Sequence, residues 1–239
     1  MLEVSALNQS YGQSRTLWDI DFTLPRGACV SLIGRNGVGK TTLLACLMGL
    51  LEIDSGRIAL DGRDLTQASP EARAPLGIGF VPQGRMIFPL LTVEENLRTG
   101  LPAAARRARA IGKPAPTSIP ELVFELFPVL ETMLGRRGGD LSGGQQQQLA
   151  IGRALVLEPD LLILDEPTEG IQPNVVKEIG DVINRLRNEL GMTVLVVEQK
   201  LPFVRRFCDR FCILDKGRVV ANGAMPELTD DLVRTYLSV

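Results

Sequence analysis

Apolar residues along the chain follow two rhythms. Leu2–Leu7 and Thr16–Leu24 alternate apolar and polar positions, the period of a half-buried strand, and predict an antiparallel pair. Ala28–Ile33 is instead a continuous apolar run that ends at Gly34, the pattern of a strand buried on both faces. Thr41–Leu50 then takes up helical spacing. Gly56–Leu60 followed by Asp61-Gly62 reads as a strand and tight turn, and Gly77–Pro82 as a short apolar strand. Leu161–Leu164 and Thr193–Val197 are buried strands, separated by an amphipathic helix over Val175–Leu190. Arg210–Leu214, a Lys216-Gly217 turn, Arg218–Ala221 and a terminal helix complete the pattern. Apolar strands alternating with helices imply an α/β fold whose mainly parallel sheet is covered on both faces. No segment repeats.

The middle of the chain breaks this rhythm. Leu101–Pro120 is rich in Ala, Arg and Pro and is expected to be an exposed connection. Its basic cluster, Arg106, Arg107 and Arg109, fits a solvated loop or short helix, with contact to lipid headgroups or a partner as the alternative. Ile119–Leu134 returns to helical patterning, so residues 85–157 read as a helical subdomain. The flanking stretches, 1–84 and 158–239, form the remainder of a single domain.

Composition adds mainly exclusions. The 239 residues suffice for one domain, and 45% hydrophobic content is ordinary for a globular chain. A net charge of −2 argues against a nucleic-acid binder working through a positive field. The most apolar stretch, Leu43–Leu51, is far shorter than the roughly 20 residues of a membrane span, and Met1-Leu-Glu-Val lacks the features of a secretory signal. A cytoplasmic chain is therefore expected, with membrane association only through a partner. Cys29, Cys46, Cys208 and Cys212 form no CxxC pair, and the chain contains no histidine. They are expected to be free, buried thiols, with Cys208 and Cys212 spaced to share a helix face.

Three segments carry chemistry. Gly34-Arg35-Asn36-Gly37-Val38-Gly39-Lys40-Thr41-Thr42 matches G-x-x-x-x-G-K-[ST]. In that motif backbone N–H groups surround phosphates, Lys40 reaches the β/γ-phosphates and Thr41 places its hydroxyl on Mg²⁺. The following helix would direct its N-terminal dipole at the same phosphates. Leu161–Asp165-Glu166-Pro167 is an apolar strand that ends in two carboxylates. Leu141-Ser142-Gly143-Gly144-Gln145 opens a helix, where exposed N–H groups and the positive dipole end make an anion site.

Taken together and in this order, the segments resemble the ATP-binding cassette of an ABC transporter along nearly the whole chain. The resemblance implies a P-loop NTPase fold, with a parallel core sheet flanked by helices, an N-terminal antiparallel β subdomain and an inserted helical subdomain. It implies ATP and Mg²⁺ as ligands. Asp165 becomes a metal-side carboxylate, and Glu166 the general base that polarises the attacking water. Gln83 resembles the glutamine that contacts Mg²⁺ and water, and Tyr11 the aromatic that stacks on adenine. Ser142, Gly143, Gly144 and Gln145 would bind the γ-phosphate held by an opposite subunit, so ATP would lie between two head-to-tail cassettes. Gln146, Gln147 and Gln148 are expected on exposed helix surface. Transmission to membrane subunits would run near Gln83 and Arg85–Asn96, where Met86-Ile87-Phe88-Pro89 reads equally as an apolar contact surface or as core.

Two departures narrow the resemblance. Thr193–Glu198-Gln199 ends in glutamine where the family usually carries a switch histidine. After Asp165-Glu-Pro-Thr168, the usual Ser-x-Leu-Asp is Glu169-Gly-Ile-Gln172. Either Gln199 still donates a hydrogen bond to the γ-phosphate and hydrolysis proceeds, or this site is the slower half of an asymmetric dimer. An amide donates but carries no charge and shuttles no proton. Both departures resemble the second ATPase of branched-chain amino acid importers. Gly34–Thr42, Val81–Arg85, Gly135–Gln148 and Asp165–Pro173 are more similar still to the urea-importer branch. The implied partners are a second, different cassette, two permease subunits at the cytoplasmic face of the bacterial inner membrane and, indirectly, a periplasmic binding protein; a homodimer in isolation stays open. A soluble ABC ATPase acting on nucleic acid usually has two cassettes or a long coiled-coil insertion, which 239 residues do not accommodate. Glu166 argues against a scaffold that binds ATP without turnover.

Overall fold

The computed structural model describes residues 1–237. In chain order its elements begin with β1 (Leu2–Tyr11), β2 (Ser14–Leu24), β3 (Cys29–Ile33), α1 (Lys40–Leu47), β4 (Ser55–Leu60), β5 (Arg63–Asp64) and α2 (Pro70–Arg73). Next come β6 (Ile78–Val81), α3 (Val93–Arg98), α4 (Leu101–Ala110), α5 (Glu121–Leu126), α6 (Pro128–Glu131), α7 (Gly143–Leu155), β7 (Leu161–Asp165) and α8 (Pro173–Asn188). The chain continues through β8 (Thr193–Val197), α9 (Leu201–Phe207), β9 (Arg210–Asp215), β10 (Arg218–Ala224) and α10 (Asp230–Tyr236). Among the described residues, no helix is long and apolar enough to cross a membrane. The chain divides into two compact units: residues 1–73 together with the stretch from Leu186 onward, and residues 74–185.

The first unit contains two sheets. In one, β1 pairs antiparallel with β2 and β4, and β4 with β5. The β1–β2 hairpin extends beyond the predicted strands, because pairing continues out to Tyr11 opposite Ser14. In the other, β3 pairs in parallel with β8 and β9, and β10 runs antiparallel to β9. Every residue of β3 and β8 is buried, which matches sequences apolar at every position but Ser31 and Thr193. Arg73 is also fully buried; it donates to the Cys46, Leu47, Leu65 and Ala68 carbonyls and so caps the C-terminal end of α1. Cys208 and Cys212 share no helix face. α9 ends at Phe207, Cys208 is extended, and Cys212 lies in β9. The Sγ of Cys208 instead meets that of Cys29 at 3.5 Å, and all four thiols are free and buried.

The second unit is a parallel β6–β7 pair with α3, α5, α6 and α7 grouped by mutual packing. Here the expected exposed connection holds for residues 111–120, which are irregular and largely exposed, and is corrected for the residues before them. Leu101–Ala110 is α4, with Pro102 in its first turn and alanine, the best helix former, through its middle. Ala104, Arg107 and Ala108 are buried on one face. Arg107 pairs with Asp160 at 2.8 Å and donates to the Glu158 carbonyl at 3.1 Å, so it is no surface cation. Only Arg106 and Arg109 of the basic cluster are exposed. The predicted Ile119–Leu134 helix is broken at Phe127, which leaves helical geometry ahead of Pro128. The glutamine run is corrected as well. Gln147 and Gln148 are buried, and Gln148 donates to Glu178 of α8 at 3.0 Å. Gln146, half-buried, donates to the Gly138 and Leu141 carbonyls.

Candidate functional site

In the first unit the Gly34–Thr42 motif forms the loop from β3 into α1. A Cβ on Gly34 would lie 2.3 Å from the Leu214 carbonyl oxygen of β9, so only glycine passes. Gly37 has φ 79°, a conformation L-residues avoid. Lys40 opens α1 and is buried; its Nζ donates to Gly34 O at 2.7 Å and Arg35 O at 2.8 Å. A buried ammonium requires such acceptors, and phosphate oxygens are stronger ones. α1 has neither a side-chain cap nor an acidic residue in its first turn, which leaves its positive end open to an anion. The hydroxyls of Thr41 and Thr42 stand in this same turn.

The register Leu32↔Val197 carries the residues after β8 alongside this loop. Glu198 is buried, and its Oε1 accepts from the Gln199 and Lys200 amides at 2.8 and 3.1 Å. Gln199 Nε2 donates to Asn36 Oδ1 at 2.8 Å. The switch position is therefore joined to the phosphate loop through a pair of neutral amides. A cavity of about 310 Å³ opens here, lined by Ile33, Gly34, Arg35, Asn36, Gln199 and Leu237. Tyr11 lies at the β1–β2 hairpin with 56% of its surface exposed, so its ring is available for stacking.

In the second unit, the register Val81↔Leu164 places Gln83 beside the residues that follow β7. Asp165, the last residue of that fully buried strand, is itself buried. Glu166 has φ 46°, a left-handed conformation unusual for a side-chain-bearing residue and of the kind that clusters at functional sites. Gln83 Nε2 donates to Glu166 Oε2 at 3.2 Å and to Glu169 Oε2 at 3.0 Å. Ser142 caps α7 through a reciprocal capping box with Gln145, which takes up the Ser142 and Gln145 amides. The first turn of α7, including Gly143 and Gly144, carries no acidic residue.

Sequence reasoning overlooked four side chains here. Arg85 donates to Gln146 Oε1 at 3.2 Å and to the Glu169 carbonyl at 3.3 Å, and its guanidinium lies beside Gly143. Arg153 donates to the Met86 carbonyl at 2.8 Å and stacks over Phe88; burial lowers its pKa. Asn96, fully buried, bonds the Phe88 amide and the carbonyls of Phe88, Leu91 and Thr92. Arg153 and Asn96 hold segment 85–92 so that Met86, Phe88 and Leu90 stand exposed, not in the core. Glu169 is the fourth. Only its position in a departing motif marked it in the sequence.

Within the second unit, the carboxylate of Asp165 and the amide oxygen of Gln83 are both hard oxygen donors, of the kind suited to Mg²⁺ and not to a soft metal.

The sequence profile of the ABC transporter family matches residues 17–169, more than half of the chain. The chain is 36% identical, over 96% of its length and 94% of the relative's, to the "Probable branched-chain amino acid transport ATP-binding protein LivF" of Archaeoglobus fulgidus. It is 39% identical to the high-affinity branched-chain amino acid transport ATP-binding protein BraG of Pseudomonas aeruginosa, over 92% and 91% of the two chains. Among solved structures, the ADP conformation of an ABC-transporter ATP-binding cassette superposes with a TM-score of 0.82 at 26% identity, covering 97% of this chain and 95% of that one. A dimeric, post-hydrolysis cassette bound to ADP and phosphate superposes with a TM-score of 0.78, also at 26% identity, covering 94% and 99%. The chain thus belongs to the ABC transporter family, as one of its ATP-binding, ATP-hydrolysing cassettes.

Proposed function

We propose that this cassette drives a bacterial importer of the branched-chain amino acid or urea type. The observation that carries this reading is the near full-length identity to two branched-chain amino acid transport ATP-binding proteins. The four segments similar to the urea branch keep urea beside branched-chain amino acids as cargo. No residue of this chain is assigned contact with the cargo.

In this reading the Gly34–Thr42 amides and Lys40 hold the triphosphate of ATP, with Tyr11 against the adenine. Thr41, Asp165 and Gln83 would hold Mg²⁺, which when bound offsets charge on the phosphoryl oxygens. Glu166 takes the proton of a water aimed at the γ-phosphate. Gln83 orients that carboxylate through the 3.2 Å bond. Ser142, Gly143 and Gly144 of an opposing cassette bind the γ-phosphate from its other side, so ATP closes a head-to-tail dimer and hydrolysis opens it. The positive end of α7, with no acidic residue in its first turn and with Arg85 beside Gly143, supports an anion there. The exposed row Met86, Phe88 and Leu90 is the face offered to a permease subunit.

The Gln199–Asn36 bond favours the asymmetric version of this dimer. A neutral amide already engaged by the loop stabilises the γ-phosphate less than an imidazolium and relays no proton. The intact signature segment would then complete a faster site on a histidine-bearing cassette.

Reconstitution with the two permease subunits and the binding protein, followed by uptake of labelled leucine and labelled urea, tests the assignment. ATP-driven accumulation of one of the two is expected, and absence of both would refute it. Site-resolved turnover in the two-cassette complex tests asymmetry; equal rates at the two sites would remove it.

A further inference from the structure

The segment that departs most from the family pattern brings a second carboxylate to the side chain that orients the base. Gln83 Nε2 carries two hydrogens, and it donates to Glu169 Oε2 at 3.0 Å and Glu166 Oε2 at 3.2 Å. Two carboxylates thus converge on one neutral donor, each accepting from it. Glu169 is anchored by its backbone as well. Its N–H donates to the Glu166 carbonyl at 3.1 Å, and its own carbonyl accepts from Arg85 at 3.3 Å. Arg85 in turn reaches Gln146 on α7 at 3.2 Å. Glu169 thus touches the segment of Gln83, the segment of Glu166 and, through Arg85, the helix of the signature.

We propose that Glu169 is a positioning residue for ATP hydrolysis that acts through Gln83, an inference that rests on the role given above to Glu166. An amide has two faces that differ in kind: Nε2 donates and Oε1 accepts. Two carboxylates on Nε2 fix which way the Gln83 amide points. That orientation presents an N–H to Glu166 and reserves Oε1 for a hard cation or a water. With Glu166 alone the amide has one anchor and turns more freely. A serine at position 169 would be too short to reach across as glutamate does.

The test compares Glu169→Ser with Glu169→Gln in the full chain and in its two-cassette complex. Glutamine keeps an oxygen that accepts from Gln83, whereas serine does not. Glu169→Ser is expected to lower kcat about five- to ten-fold, the worth of one net hydrogen bond, with KM for ATP changed less than about two-fold. Glu169→Gln is expected to restore kcat to within about two-fold of the parent. In the nucleotide-free chain, amide hydrogen exchange over residues 83–86 and 166–172 should quicken in Glu169→Ser and not in Glu169→Gln. In a Gln83→Ala background, Glu169→Ser should have no further effect on kcat, because its route is removed. Parental kcat and parental exchange in Glu169→Ser would overturn the inference, as would full additivity with Gln83→Ala. Glu166→Gln serves as the control. If it hydrolyses ATP at the parental rate, the reading of the site has failed; if it is inactive while Glu169→Ser is unaffected, only the present inference has.

Discussion

A Cβ on Gly34 would meet the Leu214 carbonyl oxygen at 2.3 Å and Val38 Cγ2 at 2.9 Å, whereas one on Gly37 would meet nothing within 4 Å. The two glycines should therefore fail differently. Gly34→Ala is expected to cost about 1–3 kcal/mol by forcing apart β3 and β9 and to weaken ATP binding with it. Gly37→Ala should cost only the backbone term, about 1–2 kcal/mol. Thermal unfolding with and without ATP separates them, and a larger loss in Gly37→Ala than in Gly34→Ala would be the contrary result. Burial pushes the thiols of Cys46 to about 11 and Cys212 to about 12, and the Cys208 contact with burial pushes Cys29 up. At pH 8 these three are expected to resist alkylation until the chain unfolds, as read by mass spectrometry of labelled peptides; prompt labelling of Cys212 in the folded chain would be the contrary result. The residues of the phosphate loop and of Asp165-Glu166 were legible because their chemistry is written in consecutive letters. Arg85 was not, because its partner Gln146 lies 61 positions away. Glu169 was seen only as a departure; that one Gln83 amide serves both carboxylates is a property of the β6–β7 register, not of either motif.

At the scale of elements, strands declared themselves most clearly. β3, β7 and β8 are buried throughout and apolar but for one residue each, Ser31, Asp165 and Thr193, so pattern and structure coincide. α4 did not, because its inward stripe is Ala104, Arg107 and Ala108, which offers no large apolar side chain to mark a face. Gln147 and Gln148 misled for the same reason: amides entered the interior where α8 supplied an acceptor for one of them. Phe127 divides a helix that periodicity alone would have joined. The reading of α4 has a direct test. Arg107→Ala removes a buried guanidinium from a half-exposed Asp160 and should destabilise the protein by about 1–3 kcal/mol, less than a fully buried pair because Asp160 regains water. Arg106→Ala, at an exposed position one residue away, should stay within about 0.5 kcal/mol. Denaturant melts of the two variants decide it; equal stabilities would make Arg107 the solvated cation first expected.

For the whole molecule, family membership assigns an ATPase cassette, and the proposed work is to convert nucleotide state into association. If ATP closes two cassettes head to tail, a hydrolysis-deficient pair should remain closed. Light scattering of the Glu166→Gln chain mixed with the histidine-bearing cassette proposed as its partner is expected to show a dimer with Mg-ATP and monomers without it. Masses that ignore nucleotide would separate ATP binding from closure. The cargo and the partner are not written in this chain's motifs; what the structure adds is the exposed row Met86, Phe88 and Leu90, the face proposed for a permease subunit. The claim on which the rest depends is that Glu166, oriented by Gln83, is the base of hydrolysis. Its most direct test is to measure ATP binding and ATP hydrolysis together in Glu166→Gln within the two-cassette complex, resolved to this chain's site. Unchanged affinity is expected, with hydrolysis at that site reduced by about 10²–10⁴-fold, the usual contribution of a positioned base. Hydrolysis at the parental rate with ATP bound would contradict it.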